Sequence, residues 1–354
     1  SLSPVPQPVI DRADIFLKRR SETHIDDMSQ WISDVEEAKV KLGKLINGDP
    51  DRFAFFDNTS TGLNILAQGI NWKPGDRILL NDVEFPSNVY PFLNLKNQGV
   101  EIDFVHSKKG AVNSVDILAA VRPETRLISI SAVQFLSGYR SNLKKIGDFC
   151  RERNIIFSVD AIQALGALQI DVKECKIDFL SCGTQKWLLG LMGLSFIYIT
   201  EELQHDITPR FVGWASMENQ TSLLDYNFVF KKSADALQNG TINMIGVNAL
   251  IGSLDMLLEF GVHNIEKRVL DNTKHLIERL HSLGIKPVCS KYANKNLSGI
   301  VSFSSPQSKM MNQRLTEEKI STSLREGFVR MSHHFYNTFD ELDTAVDVIK
   351  SCIP

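Results

Sequence analysis

Short apolar runs alternate with helical stretches between residues 50 and 200. The runs are rich in aliphatic, β-branched or aromatic residues, and most end in a polar residue, which is typical of buried strands. Helical patterns at 114–122 and 142–154 lie between some of these runs. The alternation predicts βαβ units and a mostly parallel sheet that is covered by helices on both faces. The predicted strands are 53–57, 77–81, 100–106, 126–133, 154–160, 177–183 and 194–200.

The pattern changes after about residue 245. Two long helical stretches precede short strands and shorter helices, which predicts a smaller α+β domain. We expect a large domain over 15–245 and a small domain formed by 1–14 and 246–354. The proline-rich start, SLSPVPQPVIDRA, is expected to lie across the surface before the first helix. The later predicted elements are helices 245–261, 264–284, 314–325 and 339–352 and strands 298–305 and 328–332.

The composition is that of a folded globular protein, with 43% hydrophobic and 23% charged residues and a net charge of -3. This charge gives no reason to expect nucleic acid or an anionic membrane as a partner. No apolar stretch approaches the length of a membrane span, and no signal peptide is visible. Five scattered cysteines without a CxxC pair indicate reduced thiols in a cytoplasmic protein. No histidine spacing indicates a metal site.

Candidate ligand-binding residues follow the first two predicted strands, because ligands of open α/β sheets bind beyond the carboxyl ends of the strands. The turn 57–64 opens a helix, and its backbone N–H groups with the hydroxyls of Thr59 and Ser60 are suited to a phosphate. A plain helix N-cap is the alternative. Phe85 precedes a proline at the next strand end, where it offers a flat surface to a planar ligand or is simply a buried loop aromatic.

Two further strand ends carry charged side chains. Asp160 ends a buried strand, and such a carboxylate needs a partner, such as a cationic heterocycle nitrogen, unless it only caps the next helix. Lys186 follows another buried strand, where desolvation lowers the pKa of a lysine and favours a Schiff base; a lysine that reaches solvent is the alternative. Phosphate donors, a stacking ring, an anion and a lysine are together the set that pyridoxal phosphate requires.

The chain resembles the class V branch of the fold-type-I pyridoxal-phosphate enzymes over nearly its whole length. This branch includes class V aminotransferases, cysteine desulfurases, isopenicillin N epimerase-like proteins and kynureninase. The resemblance implies an α/β fold in which a mostly parallel, mixed seven-stranded sheet lies between helices and a smaller C-terminal α+β domain follows. The motifs that carry it are NTSTGLN (58–64), GDRILLNDVEFPSN (75–88), VDAIQALGALQIDV (159–172), SCGTQKWLLGLMG (181–193), NGTIN (239–243) and VRMSHHFYNTFDELD (329–343).

The resemblance implies a role for each residue around the cofactor ring. Lys186 would form the Schiff base with pyridoxal 5'-phosphate and later act as the base that moves the α-proton. Asp160 would face the pyridinium nitrogen, Gln163 would reach the ring hydroxyl, and Phe85 would stack on the ring. Arg330 would bind the substrate α-carboxylate in a bidentate pair.

The phosphate of the cofactor is the second implied contact. Thr59, Ser60 and Gln185 would bind it, although the family more often has histidine where this chain has Gln185. Thr241 would reach the phosphate of the neighbouring subunit, which implies a homodimer with shared active sites.

Two departures from the family concern the substrate side. Gln134 and Phe135 stand where many relatives have an asparagine, and kynureninase is more similar here. The family usually opens with a short strand and an N-x-A turn near the substrate, and this sequence begins just beyond that turn. His333 and His334 are expected to pack beside Arg330 rather than to take part in catalysis.

The reaction is the least determined feature, because one fold hosts several chemistries. Desulfurases need a cysteine on a loop shortly before the substrate arginine, and the run 318–334 has none, which argues against a cysteine-nucleophile desulfurase. We expect an aminotransferase that acts on a small amino acid with a 2-oxo acid as co-substrate. The alternatives are an epimerase or a C–S or C–Se lyase, or a catalytically inactive protein of this fold that acts as a binding partner. A nicotinamide-dependent dehydrogenase ranks low, because no GxGxxG follows any strand.

Overall fold

The structure is a computed structural model that describes residues 3–22, 27–220 and 224–353. Its strands are β1 Phe53–Phe56, β2 Arg77–Asn81, β3 Glu101–Val105, β4 Thr125–Ser131, β5 Ile156–Asp160, β6 Phe179–Gly183, β7 Ser195–Ile199, β8 Ile300–Ser304, β9 Ser323–Arg325 and β10 Phe328–Ser332. Its helices are α1 Gln7–Glu22, α2 Met28–Ile46, α3 Thr59–Gly69, α4 Tyr90–Leu93, α5 Ser114–Ala119, α6 Leu143–Glu152, α7 Glu201–Asp206, α8 Met244–Phe260, α9 Val262–Ser282, α10 Ser308–Glu317 and α11 Phe339–Lys350.

The large sheet has seven strands in the order β1-β7-β6-β5-β4-β2-β3. Strand β7 runs antiparallel to both of its neighbours, while the pairs β2–β3, β2–β4, β4–β5 and β5–β6 are parallel. The predicted mostly parallel, mixed sheet is therefore confirmed. The carboxyl ends of β2, β4, β5 and β6 meet at one edge, which is where the candidate residues lie.

Apolar side chains are buried on both faces of this sheet, which explains why its strands are nearly continuous hydrophobic runs. One face, with Phe157 and Val159, belongs to a core cluster that also contains residues of α2, α6 and α8, such as Leu42, Ile146 and Leu250. The opposite face, with Phe179 and Ile197, packs against α3 and the segments around it. Among the described residues, no single helix is long and apolar enough to span a membrane, although the bent pair α8 and α9 meets those criteria when taken together.

A second, three-stranded antiparallel sheet has the order β8-β10-β9 and packs against α9, α10 and α11. The helix predicted over 314–325 is wrong beyond residue 317: α10 spans Ser308–Glu317, and 323–325 form β9. Glu326 and Gly327 both have positive φ, 49° and 78°, as a tight two-residue hairpin turn requires. Residues 323–325 therefore form a strand because they pair with β10, although their spacing along the chain also fits a helix.

The opening segment also differs from its prediction. Helix α1 begins at Gln7, inside the proline-rich stretch that was expected to precede the first helix, because proline is tolerated in the first turn of a helix. Val9 and Ala13 are buried, and the backbone at Pro8 contacts Gly252 of α8 so closely that a Cβ on this glycine would lie 2.4 Å from the Pro8 carbonyl oxygen. The division at 15–245 stays a prediction.

Candidate active site

Lys186 stands in a tight turn that follows β6. The Thr184 amide donates to the carbonyl of Leu194 (3.1 Å), and its hydroxyl donates to that of Leu191 (2.7 Å), which closes the loop. Leu189 takes a positive φ of 59° there, and its amide donates to the Lys186 carbonyl (3.1 Å). The residues behind the lysine, Trp187 to Leu189, are buried in the core. The apolar run therefore anchors the turn and directs the lysine toward the sheet edge.

The Nζ of Lys186 lies 5.6 Å from the centroid of the Phe85 ring. Phe85 precedes the short turn Pro86–Asn88 at the end of β2. Its ring is itself contacted edge-on by Phe135, at 5.3 Å between centroids and 79° between planes. The lysine and one aromatic face thus lie on the same side of the sheet edge, as a planar ligand attached to the lysine requires.

Asp160 is buried at the end of β5, and burial raises its pKa to about 6. The Ile162 N–H, which donates to its Oδ1 at 3.0 Å, and the charge of Lys186 oppose this rise, while Glu84 adds to it. No ion pair within 4.0 Å joins Asp160 to any residue that the structure describes. A cationic ring nitrogen would supply the missing partner and keep the carboxyl ionised.

Burial lowers the pKa of Lys186, and the nearby guanidinium groups of Arg330 and Arg325 lower it further. The negative charge of Asp160 acts in the opposite direction but does not outweigh them. A larger fraction of this amine is therefore neutral near pH 7 than in an ordinary lysine, and only the neutral amine attacks an aldehyde.

Gln163 is oriented by the residue that follows the lysine. The indole Nε1 of Trp187 donates to its Oε1 at 3.0 Å, so its amide nitrogen is the end that can donate to an anionic ring oxygen. The Trp187 carbonyl in turn contacts Nε2 of His334 at 2.9 Å. Burial lowers the pKa of His333 and of His334 to about 4, so both imidazoles are neutral at pH 7.

The N-terminus of α3 supplies the candidate phosphate donors. The Thr59 hydroxyl is buried and has no hydrogen-bond partner among the described residues. A Cβ built on Gly183 would lie 3.1 Å from that hydroxyl and 2.6 Å from Oε1 of Gln185, so both side chains flank the same point. Ser60, by contrast, donates to the Ser87 hydroxyl at 2.8 Å. An orphaned hydroxyl at a helix N-terminus fits an anionic ligand.

Thr241 is exposed and borders a cleft of about 800 Å³ together with Asp57, just before α3, Thr61 of α3 and Phe211. Neither Thr59 nor Gln185 lines this cleft, so within this single chain Thr241 does not share it with them.

Arg330 is buried in β10 and donates from Nη1 to the carbonyl of Phe135. Burial lowers its pKa to about 10, with Arg325 as a second cause, and the group stays cationic at neutral pH. Because Phe135 contacts the Phe85 ring, one loop links the arginine to the stacking residue.

Glu84 is a site residue that the sequence reasoning missed. This buried carboxylate accepts hydrogen bonds from the side-chain amides of Asn88 and Gln134 (both 3.0 Å) and from the Ser131 amide (2.8 Å), and also from Asn81 and the Ser131 hydroxyl. It thus ties the turn before Phe85 to the end of β4. Gln134, a departure from the family pattern, is one of its donors. The only signal in the sequence is a carboxylate directly before the stacking aromatic.

Cysteine is the residue type that desulfuration by a protein thiol would need. Cys182, in β6, is buried, and burial raises its pKa well above the usual value. Cys150, Cys289 and Cys352 are also buried, and Cys175 is half-buried. The hairpin that bears Arg330 holds no cysteine.

The fold and these side chains define a pyridoxal-phosphate-dependent enzyme of fold type I. The sequence matches the family model described as aminotransferase class-V over residues 2–344, and the chain belongs to that family. The cofactor is pyridoxal 5'-phosphate: Thr59, Asp160 and Lys186 each offer a group that fits one part of it.

Relatives and solved structures agree with this assignment. A probable cysteine desulfurase of Methanothermobacter thermautotrophicus is 27% identical over 87% of this chain and 81% of its own. An uncharacterized aminotransferase of Bacillus subtilis is 25% identical over 98% and 90%. The apo cysteine desulfurase of Thermococcus onnurineus superposes with a TM-score of 0.90 at 24% identity, covering 99% and 92%. The cystine C–S lyase C-DES, in complex with its product cysteine persulfide, gives 0.92 at 20% identity, covering 100% and 96%.

Proposed function

We propose that this enzyme is a C–S lyase that removes the sulfur substituent from a cysteine derivative by β-elimination. When bound, pyridoxal phosphate withdraws electrons from the α-carbon of an amino acid attached to it. Lys186 would remove the α-proton of the substrate at its Nζ. Asp160 keeps the ring nitrogen protonated, and Arg330 holds the α-carboxylate.

The overall reaction balances with water as the only co-reactant. The α-proton passes to Lys186, and the Cβ–S bond breaks with its electron pair on sulfur, which leaves as a thiolate or persulfide and takes up a proton. The released three-carbon fragment is hydrolysed to pyruvate and ammonium. A substituted cysteine plus water therefore gives a thiol, pyruvate and ammonium, and no oxidant or reductant is needed.

The observation that carries this proposal is that Lys186, Asp160 and Arg330 are all present, while the β9–β10 hairpin that bears Arg330 has no cysteine. Strands β9 and β10 are joined by the two residues Glu326 and Gly327, which leave no room for a mobile cysteine-bearing loop. Sulfur would consequently leave on the substrate fragment rather than on a protein thiol. The likeness to the cystine C–S lyase supports this proposal over the aminotransferase expected from the sequence.

The test is a pyruvate assay on the holoenzyme with S-substituted L-cysteines. We expect pyruvate and thiol in equal amounts over many turnovers, and loss of both in Lys186→Ala but not in the exposed control Lys144→Ala. Accumulation of pyridoxamine phosphate with one equivalent of 2-oxo acid would instead establish transamination. Racemised amino acid without pyruvate would establish epimerisation, and no turnover with any amino acid would favour a binding protein.

We further infer a homodimer with shared active sites. Several aromatic side chains between 211 and 228 are exposed, including Phe211, Tyr226 and Phe228, and the first of these lines the cleft beside Thr241. An apolar surface of this kind marks a protein–protein contact. Light scattering should give twice the chain mass.

Mixing of variants tests the sharing itself. If Thr241 serves the partner's cofactor, a heterodimer of Lys186→Ala and Thr241→Val chains contains one intact site, so that mixing inactive variants restores activity. A monomer, or no restoration after subunit exchange, would contradict this assembly.

A further inference from the structure

Arg325 and Arg330 lie on the same face of the β9–β10 hairpin. Arg330 pairs directly opposite Ser323, and Arg325 pairs opposite Phe328. Directly opposed residues in an antiparallel pair share a face, and so do residues two apart along one strand. Ser323 therefore connects the two arginines: it shares its face with Arg330 across the strands and with Arg325 along its own strand.

That face is turned toward the active site. Arg330 donates to the Phe135 carbonyl, and Ser302, its opposite neighbour in β8, donates to the carbonyl of Leu136. The other face of the hairpin, with Val329 and Met331, lies in the core of the small domain. The positive charge of Arg325 is also close enough to Lys186 to help lower the pKa of its amine.

The two arginines differ in burial and in partners. Arg330 is 2% exposed, whereas Arg325 is exposed at the tip of the hairpin. In the part of the chain that the structure describes, no carboxylate forms an ion pair with Arg325, in contrast to Arg140, which pairs with Glu266 at 2.6 Å. The exposed guanidinium of Arg325 is therefore a positive charge at the edge of the site that no carboxylate of the described residues neutralises.

We propose that Arg325 recognises a second anionic group, so that the preferred substrates are amino acids whose side chain ends in a carboxylate or a comparable anion. Arg330 would hold the α-carboxylate, and the cleavable sulfur would lie between the two charges. This assignment rests on the proposed lyase function for the sulfur, but recognition of the second anion is a binding property that can be measured without turnover.

The first experiment measures binding to the holoenzyme by the change in its visible absorbance. The probes are L-2-aminoadipate and L-norleucine, which have side chains of matched length with and without a terminal carboxylate and no sulfur to eliminate. We expect the wild type to favour aminoadipate by about tenfold, as a charge-assisted pair provides. Arg325→Gln should remove this preference and leave norleucine binding unchanged, while Lys309→Gln, an exposed charge loss in α10, should retain it.

The second experiment compares S-(2-carboxyethyl)-L-cysteine with S-propyl-L-cysteine in the pyruvate assay. Arg325→Gln should lower kcat/KM for the first substrate only. Equal losses for both substrates, or no preference for aminoadipate in the wild type, would overturn the proposal. If the aminoadipate preference depends on Arg325 but no pyruvate forms, the lyase function fails and the second anion site stands.

Discussion

The amine of Lys186 faces the ring of Phe85 at 5.6 Å from its centroid, and the two residues belong to strand ends that are separated in the sheet by β4 and β5. A planar cofactor attached to this lysine would cover the aromatic face. The relationship depends on the turn before Phe85, which the hydrogen bonds of the buried Glu84 carboxylate hold against β4. Stacking and covalent attachment are thus positioned by one rigid edge of the sheet.

Replacing Phe85 by leucine should weaken pyridoxal phosphate binding by about fivefold to tenfold, since aromatic stacking contributes roughly 0.5–1.5 kcal/mol beyond buried area. Phe85→Trp should retain most of the affinity. Titration of the apo-protein with the cofactor at its visible band measures this difference. Phe104→Leu, at the exposed edge strand β3, serves as the control, and an equal loss there would refute a specific stacking role.

Asp160→Asn should stabilise the apo-protein and impair cofactor binding. Burial raises the pKa of this carboxyl to about 6 from 3.8, so the unfolded state releases its proton first, and apo-protein stability falls as the pH rises from about 4 to 6. The neutral amide avoids this loss, which amounts to roughly 3 kcal/mol at most. Urea unfolding at pH 4.5 and 7.5 should show a gain for the variant that is about three times larger at the higher pH. A gain of equal size at both pH values would mean that ionisation of Asp160 is not its cause.

Thr59→Val should leave the apo-protein as stable as the wild type or about 1 kcal/mol more stable, because it removes a buried hydroxyl that has no partner. The same change should weaken pyridoxal phosphate binding by about tenfold to a hundredfold, since a hydrogen bond to an anion contributes roughly 1.5–3 kcal/mol. Thr59→Ser should behave like the wild type in both measurements. Loss of apo stability in the valine variant would instead assign the hydroxyl a structural role.

The sequence was sufficient for most of the large sheet because its strands, apart from the edge strand β3, are buried apolar runs between polar turns. Strand β2 of this sheet coincides with its predicted range, and so does β10 of the small sheet. It also pointed to Asp160 and Lys186, whose charges are conspicuous at the ends of such runs. These positions need only the rule that parallel strands present their carboxyl ends at one edge.

Contacts between distant segments could not be predicted in this way. Glu84 receives hydrogen bonds from Ser131 and Gln134, which lie about fifty residues later in the chain. No local sequence pattern in either segment predicts this contact. Arg325 was assigned to a helix because the spacing of 314–325 satisfies a helical period. Only pairing with β10 shows that this residue shares a face with Arg330.

Acidification should destabilise the protein through the buried side chains of His333 and His334. Burial lowers the pKa of His333 and His334 to about 4, below the unfolded value of 6.5, so the unfolded state binds protons first and stability is lost as the pH falls from about 6.5 to 4. Each histidine should account for about 2 kcal/mol at pH 5. His334→Gln should cost stability at pH 7.5 yet show a flatter decline toward pH 5. An unchanged slope in urea unfolding would show that His334 does not titrate in this range.

Gly166→Ala should displace the turn that bears Lys186, although Gly166 itself contributes no group to the active site. Gly166 has a φ of 99°, and a Cβ there would lie 2.0 Å from the carbonyl oxygen of Trp187, so the turn that bears Lys186 would have to move. Gly284, with a φ of 74° and nothing within 4 Å of its Cβ position, is the matched control because it shares the backbone strain but not the clash. We expect Gly284→Ala to cost about 1 kcal/mol and Gly166→Ala to cost at least about 3 kcal/mol, as a forced backbone shift in a packed core does. Gly166→Ala should also slow the reaction of Lys186 with pyridoxal phosphate, and equal behaviour of the two variants would show that the contact with Trp187 does not hold the lysine in place.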